Sequence, residues 1–203
     1  YALPELLSGV TTIRSVGGIL DYDSKLRDDI AAGRLEGPRI IASNMAVSVP
    51  GGHMAGSLAF EATSAEDART FVSKIADSGA DLIKLMITGG VLDATKKGEP
   101  GVLKMPADYV KAACDEAHKR GLKVAAHVEG VEGTKVALAN GVDTIEHGAM
   151  PDDEIISLFK KHNAAHVCTI SPSLPFALFD RSVSHASEMS QYNGNIVFED
   201  ASL

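Results

Sequence analysis

Three short apolar runs in this chain each carry a residue that such runs rarely contain. They are Leu82-Ile83-Lys84-Leu85-Met86-Ile87-Thr88-Gly89-Gly90, Val124-Ala125-Ala126-His127-Val128-Glu129-Gly130 and Thr144-Ile145-Glu146-His147-Gly148. A lysine or histidine inside an apolar run costs stability unless it is paired or holds a ligand. Neutral imidazole is a good zinc ligand, so His127 and His147 on successive strands make half of a metal site. A lysine ammonium has no lone pair to offer, but burial beside cations lowers its pKa and frees the amine. A free Lys84 amine has two uses. With carbon dioxide it forms a carbamate, an anionic oxygen ligand able to bridge two metals; with a carbonyl substrate it forms a Schiff base. On these residues alone both remain open.

The glycines fix the relative heights. His127 precedes Gly130 by three residues, His147 stands immediately before Gly148, and Lys84 lies five residues before Gly89. At about 3.3 Å per strand residue the Lys84 α-carbon sits roughly 7–13 Å deeper than the histidines, a depth that its long side chain largely spans. His53 lies in the glycine-rich stretch Val49-Pro50-Gly51-Gly52-His53-Met54 after a strand, where a substrate-contacting residue is expected. Glu129 shares the face of His127 and lines the cleft, whereas Glu146 is expected on the face opposite His147, in a structural role. His118 and His162 belong to amphipathic helices or their ends and read as solvated, as do Asp93 and Glu99. His162 and His166 mimic a helical metal pair, but they straddle a helix end and a strand start, which excludes that use. His185 lies in a tail without a clear period.

These residues need elements to hold them. The β-branched run from Gly9 to Ser15 predicts a strand, and Ser24 is expected to cap a helix running to about Ala32 and closed by Gly33. Arg39–Ser43 reads as a strand, followed by an irregular connection through residues 49–54. Thr63 or Ser64 opens a helix with Ala68, Phe71, Val72, Ile75 and Ala76 at helical spacing. After the Lys84 strand comes a polar loop from Leu92 to Met105, then a helix with Pro106 in its first turn and Val110, Ala113, Cys114 and Ala117 on its apolar face. The His127 strand, a helix over Glu132–Asn140, the His147 strand, a helix over Asp152–His162 and a strand at Ala165–Thr169 complete the pattern. Six strands alternating with helices predict an α/β protein with a parallel sheet. The expected architecture is a partial (β/α)8 barrel with about six of its eight units, in one domain spanning 1–203. In such a barrel the C-terminal strand ends converge on the active site.

Composition removes other classes. The formal charge is −8 and no basic cluster occurs, which argues against a nucleic-acid partner. No apolar run approaches the ~20 residues of a membrane span. Neither a dinucleotide-binding fingerprint nor a phosphate-binding loop is present. Cys114 and Cys168 make no disulfide framework and read as buried thiols in a reducing compartment, with the cytoplasm as the expected location. The chain opens with Tyr1 and with Ala2–Leu7 as the tail of a helix, so it is expected to start within something larger. The oligomeric state stays open, a homo-oligomer included.

The runs Gly9-Val10-Thr11-Thr12-Ile13-Arg14, Ile83-Lys84 through Gly89-Gly90, Ala126-His127-Val128-Glu129-Gly130 and Ile145-Glu146-His147-Gly148 together resemble the metal-dependent amidohydrolase superfamily. The most similar branch is that of Xaa-Pro dipeptidases (prolidases) and imidazolonepropionase-like proteins, and the likeness runs over about residues 5–175. The resemblance implies a barrel with a binuclear zinc centre that hydrolyses amide, peptide or cyclic amide C–N bonds of a small molecule or dipeptide. It makes Lys84 the carboxylated lysine bridging both metals, His127 and His147 ligands of one of them, and His53 a substrate contact. The family pattern also asks for a His-x-His pair on the first strand and an aspartate, the general base, on the eighth. No His-x-His occurs in this sequence, Ser15 stands where an aspartate is common after the arginine, and the residues after Phe198 supply no replacement. The expectation is a hydrolase fragment inactive alone. A Schiff-base barrel enzyme built on Lys84 and a non-catalytic barrel scaffold are the alternatives.

Overall fold

A computed structural model of the chain describes residues 2–90, 94 and 101–169. Helix α1 (Ala2–Leu7) leads through β1 (Thr12–Arg14), α2 (Tyr22–Ala31), β2 (Arg39–Ile41), β3 (Ala46–Ser48) and β4 (Ala59–Glu61) to α3 (Ala65–Asp77). Then follow β5 (Leu82–Met86), α4 (Ala107–Lys119), β6 (Lys123–Val128), α5 (Val131–Ala139), β7 (Thr144–His147), α6 (Asp153–His162) and β8 (Ala165–Val167). All strand pairing is parallel. β1 pairs with β2, and the other six strands run in the order β4-β3-β5-β6-β7-β8.

Side chains alternate across a strand, so the register sorts them into two sets. Lys84 pairs with Ala125 and Ala125 with Thr144; Met86 pairs with His127 and His127 with Glu146. These residues line one face. Ile83, Leu85, Val124, Ala126, Val128 and Ile145 line the other and pack with Val72, Ile75, Val110, Ala113 and Leu138 from the helices. The first face curls on itself. Arg14 on β1 reaches across to Glu146 on β7, donating from Nη2 to Oε1 and Oε2 at 2.8 and 2.9 Å. Two strands so far apart in order can meet only if the sheet wraps around its interior. The fold is thus part of a (β/α)8 barrel, with the helices outside.

One local device recurs at the strand entries. Gly79-Ala80-Asp81 precedes β5 and Gly141-Val142-Asp143 precedes β7. The Asp81 N–H donates to the Ala42 carbonyl at 2.7 Å, and its carboxylate accepts the Ala42 N–H at 2.8 Å. The Asp143 N–H donates to the Val124 carbonyl at 2.9 Å, and its carboxylate accepts the Val124 N–H at 2.8 Å. Asp143 thereby fastens β7 to β6 before their ladder begins, and Asp81 fastens the entry of β5 to the residue just beyond β2.

Most helices match the sequence expectation. Ser64 caps α3, its hydroxyl accepting from the Asp67 N–H at 3.0 Å, while the Asp67 carboxylate accepts from the Thr63 N–H at 2.9 Å. Asp152 caps α6 through the Ile155 N–H at 2.8 Å, and Asn163 closes that helix in the left-handed region.

Four readings change. Ser24 is not the cap of α2 but lies inside it, buried, with its N–H on Asn44 Oδ1 at 3.0 Å. The strand at residue 39 stops at Ile41, two residues short of the expected Ser43. The backbone turns at Asn44, where φ is +56°, and resumes as β3. β3 and β4 were not expected, giving eight strands among the described residues rather than six. Three residues are too few to display alternation, and β3 is buried on both faces, so no period marks it. Finally, Cys114 is buried as expected but Cys168 is exposed, because β8 presents no covered face. Asp93, Glu99, His185 and the tail 176–203 lie outside the described residues.

Candidate metal centre

Lys84 enters the interior from the middle of β5, two registers below His127 and three below His147. That is a depth of about 7 and 10 Å at 3.3 Å per residue, within the span expected. Lys84 is 2% exposed. Burial draws its ammonium down from 10.5 to about 7, with Arg14 adding to the shift and Glu146 opposing it. None of the described residues hydrogen-bonds to or ion-pairs with its Nζ. A buried amine in this condition is in its neutral, nucleophilic form for a substantial share of the time near neutral pH.

His127 is buried, and its Nε2 lies 3.1 Å from the Gly89 carbonyl oxygen. A carbonyl only accepts, so Nε2 carries the proton and Nδ1 keeps its lone pair. Burial, reinforced by His53 and the other nearby cations and opposed by the Gly89 bond, drives its pKa down to about 2. The ring stays neutral across the physiological range, as a metal ligand must.

His147 reaches the same place by another route. Strict alternation would put it with Ile145 on the helix-facing side and leave Glu146 on the interior face. Its backbone instead takes φ of +68°, uncommon for a residue with a side chain, and Gly148 follows at +84°. The His147 ring ends with its centroid 4.9 Å from that of His127, edge to face. Its Nδ1 bonds the Thr169 hydroxyl. Burial, with Lys84 contributing and Glu146 opposing, lowers its pKa to about 4. This corrects the expected arrangement of the pair: Glu146 shares the face of His127, and it is the turned backbone that brings His147 alongside. Glu146 has the structural bonding expected of it, accepting from Arg14 and, at 2.7 Å, from Thr144 Oγ1.

His53, from the loop between β3 and β4, is also buried here. Its ring stacks on His127 with centroids 4.1 Å apart and planes 19° from parallel. Gly90 leaves room for it, since a Cβ at that position would run into the imidazole. Glu129 completes the rim. Among the described residues, one donor atom from each of His127, Glu129 and His147 lies within 4.8 Å of the other two, and the group could hold a metal ion.

The remaining histidines stand apart. His118 bonds Asp143 at 2.8 Å on an exposed surface. His166 donates from Nε2 to the His147 carbonyl at 2.7 Å and stacks on Phe159, without pairing with His162. Two contributors were missed in the sequence. Arg14 gave a signal, as a charge ending the β-branched run from Val10; Thr88, which accepts the Glu129 N–H at 2.9 Å, gave none.

Curled parallel strands with a buried amine and two neutral imidazoles at their C-terminal ends define a barrel built for polar chemistry inside its mouth. The Amidohydrolase family model matches residues 3–190, and the chain belongs to that family. Among curated proteins it resembles ochratoxinase of Aspergillus niger, 26% identical over 190 residues, covering 82% of this chain and 38% of that protein. Among solved structures it resembles a Xaa-Pro dipeptidase with methionine bound in the active site. That match has a TM-score of 0.78 and 30% identity, over 93% of this chain and 50% of the other. A prolidase complexed with N-methylphosphonate-L-proline gives a TM-score of 0.81 and 26% identity, over 98% and 52%. The chain thus spans about half the length of these relatives or less. No helix among the described residues is long and apolar enough to cross a membrane.

Proposed function

We propose that this chain carries one metal-binding half of a hydrolytic site for amide, peptide or cyclic amide C–N bonds, acting on a small molecule or dipeptide. In this reading Lys84, His127 and His147 hold zinc, and the whole barrel binds two. The supporting observation is the convergence at one barrel mouth of a buried amine without a described partner and two imidazoles kept neutral by burial. The donors suit such an ion: His127 offers Nδ1 because Gly89 occupies its other nitrogen, and His147 offers Nε2 because Thr169 takes Nδ1. The neutral Lys84 amine attacks the carbon of carbon dioxide, forming an N–C bond and releasing one proton, and the resulting carbamate supplies anionic oxygen. When bound, zinc supplies Lewis-acid polarisation of a carbonyl and a more acidic water.

The chain's own residues orient and enclose. His53, stacked on His127, faces the position where substrate would enter and contacts it. Arg14 and Glu146 hold β1 and β7 together across the interior that Lys84 enters. No residue of this sequence takes the place of the general-base aspartate or of the His-x-His pair, so the 203-residue chain is expected to bind metal without turning over substrate. Elemental analysis of the wild-type chain and of Lys84→Met, His127→Ala and His147→Ala, alongside a dipeptide hydrolysis assay, tests this. Zinc-dependent hydrolysis by the isolated chain would overturn the reading of inactivity, and metal content unaffected by the histidine changes would overturn the site.

The neutral amine of Lys84 also favours a second reading, a Schiff-base nucleophile. Borohydride trapping of a carbonyl compound on Lys84 would support it, and zinc in the purified chain would count against it. The unpaired thiols Cys114 and Cys168 accord with a cytoplasmic location.

A further inference from the structure

We infer that Glu129 is a metal ligand, and that His127, Glu129 and His147 form a His2Glu site able to bind a single divalent ion of the zinc or cobalt(II) type without a carboxylated lysine. This rests on the reading of His127 and His147 as ligands and adds a third donor to them. Glu129 follows His127 by two residues on the same run, so alternation sends its side chain to the same interior face. Its backbone is held from two sides. The Glu129 N–H donates to Thr88 Oγ1 at 2.9 Å, and the Glu129 carbonyl lies so near Gly101 that a Cβ there would sit 2.7 Å from its oxygen. Thr88 is itself buried and also bonds the Gly89 carbonyl at 2.9 Å. The carboxylate thus projects from a fixed root, as a preorganised ligand requires.

The distances leave a small adjustment. Donors at 2.0–2.2 Å from a tetrahedral ion lie about 3.4 Å from one another. The three groups, within 4.8 Å of each other, close by up to about 1.4 Å on binding, toward which rotation of the glutamate side chain contributes. Two neutral imidazoles and one carboxylate match the His2Glu donor set of three-ligand zinc sites, with the fourth position left open. The Lys84 α-carbon lies two registers deeper than that of His127, and the three donors form a set without its amine.

The test is calorimetric titration of the full 203-residue chain with zinc, and with cobalt(II) followed by its visible absorption, in carbonate-free buffer. One ion per chain is expected. Lys84→Met should still bind one ion, and added bicarbonate should strengthen binding by the wild type but not by that variant. Glu129→Gln should weaken binding by at least about tenfold, the low end of what even an outer-shell loss costs. Its cobalt spectrum should change, and Glu129→Asp should recover part of the affinity. Circular dichroism confirms that each variant is folded. Wild-type affinity in Glu129→Gln, or binding that requires both Lys84 and bicarbonate, would overturn the inference while leaving the lysine carbamate site standing. Binding indifferent to His127→Ala and His147→Ala would instead overturn the ligand reading beneath it.

Discussion

Lys84 should cost the fold stability, and removing its charge should return it. The amine titrates at about 7 in the folded chain against 10.5 in its ordinary state, chiefly because of burial. The folded value is the lower one, so between these pH values the unfolded chain holds a proton that the folded chain does not. Stability therefore rises with pH across that window, at about 1.4 kcal/mol per pH unit. At pH 7 the penalty amounts to about 4 kcal/mol, shrinking to roughly 1.4 kcal/mol at pH 9.5. Lys84→Met keeps the length of the side chain and discards the titration. It should be more stable than wild type by up to about 4 kcal/mol at pH 7, with the difference down to roughly 1.4 kcal/mol by pH 9.5. Urea unfolding of both chains in carbonate-free, metal-free buffer at several pH values measures this. A Lys84→Met chain less stable than wild type, or a difference that does not change with pH, would refute the reasoning.

The two neutral histidines act at the acid end. Their folded pKa values of about 2 and 4 lie below the ordinary 6.5, so each costs about 1.4 kcal/mol per pH unit as pH falls below 6.5. A drop in urea midpoint between pH 6.5 and 5 checks this, together with an NMR signature of neutral His127 protonated on Nε2 at pH 5; a charged His127 there contradicts it. Glu146→Gln breaks the two-pronged bond to Arg14 and should destabilise by about 1–3 kcal/mol, because Glu146 is buried while Arg14 keeps some solvent. Pairing Arg14→Met with Glu146→Leu should recover most of that loss in thermal melts, and a harmless single change would deny the cross-barrel tie. Gly148→Ala should cost about 1–3 kcal/mol, since the residue holds φ of +84° and a Cβ would strike the His166 ring. An unchanged melting point with an unshifted His147 resonance would count against this.

The helices and the longer strands were legible because their periods are long enough to count. α3, α4, α5 and α6 fall within a residue or so of their expected ends; His127 and His147 stand at or next to the ends of β6 and β7, and Lys84 sits deeper, in the middle of β5. Three features were not legible, each for a physical reason. β3 and β4 hold three residues apiece, and the turn at Asn44 that separates β2 from β3 depends on tertiary bonds to Ser24 and Ser78. The face of His147 depends on a backbone angle that no side-chain pattern reveals. The hold of Thr88 on Glu129 joins residues far apart in sequence, and a threonine in a strand is ordinary. Conversely, Ser24 looked like a cap because serine favours caps, and its actual use in a buried network with Asn44 is a matter of three-dimensional neighbours.

The aspartates at the strand entries carry a consequence for assembly. Asp143 grips the backbone of β6, laid down just before it, and Asp81 grips Ala42 just beyond β2, so each of these strand entries is aligned on backbone already made. The entries of β5 and β7, which carry Lys84 and His147, are thus held at the end of the barrel remote from the chemistry. A growing chain can therefore set its ligand ladder at the moment β7 docks.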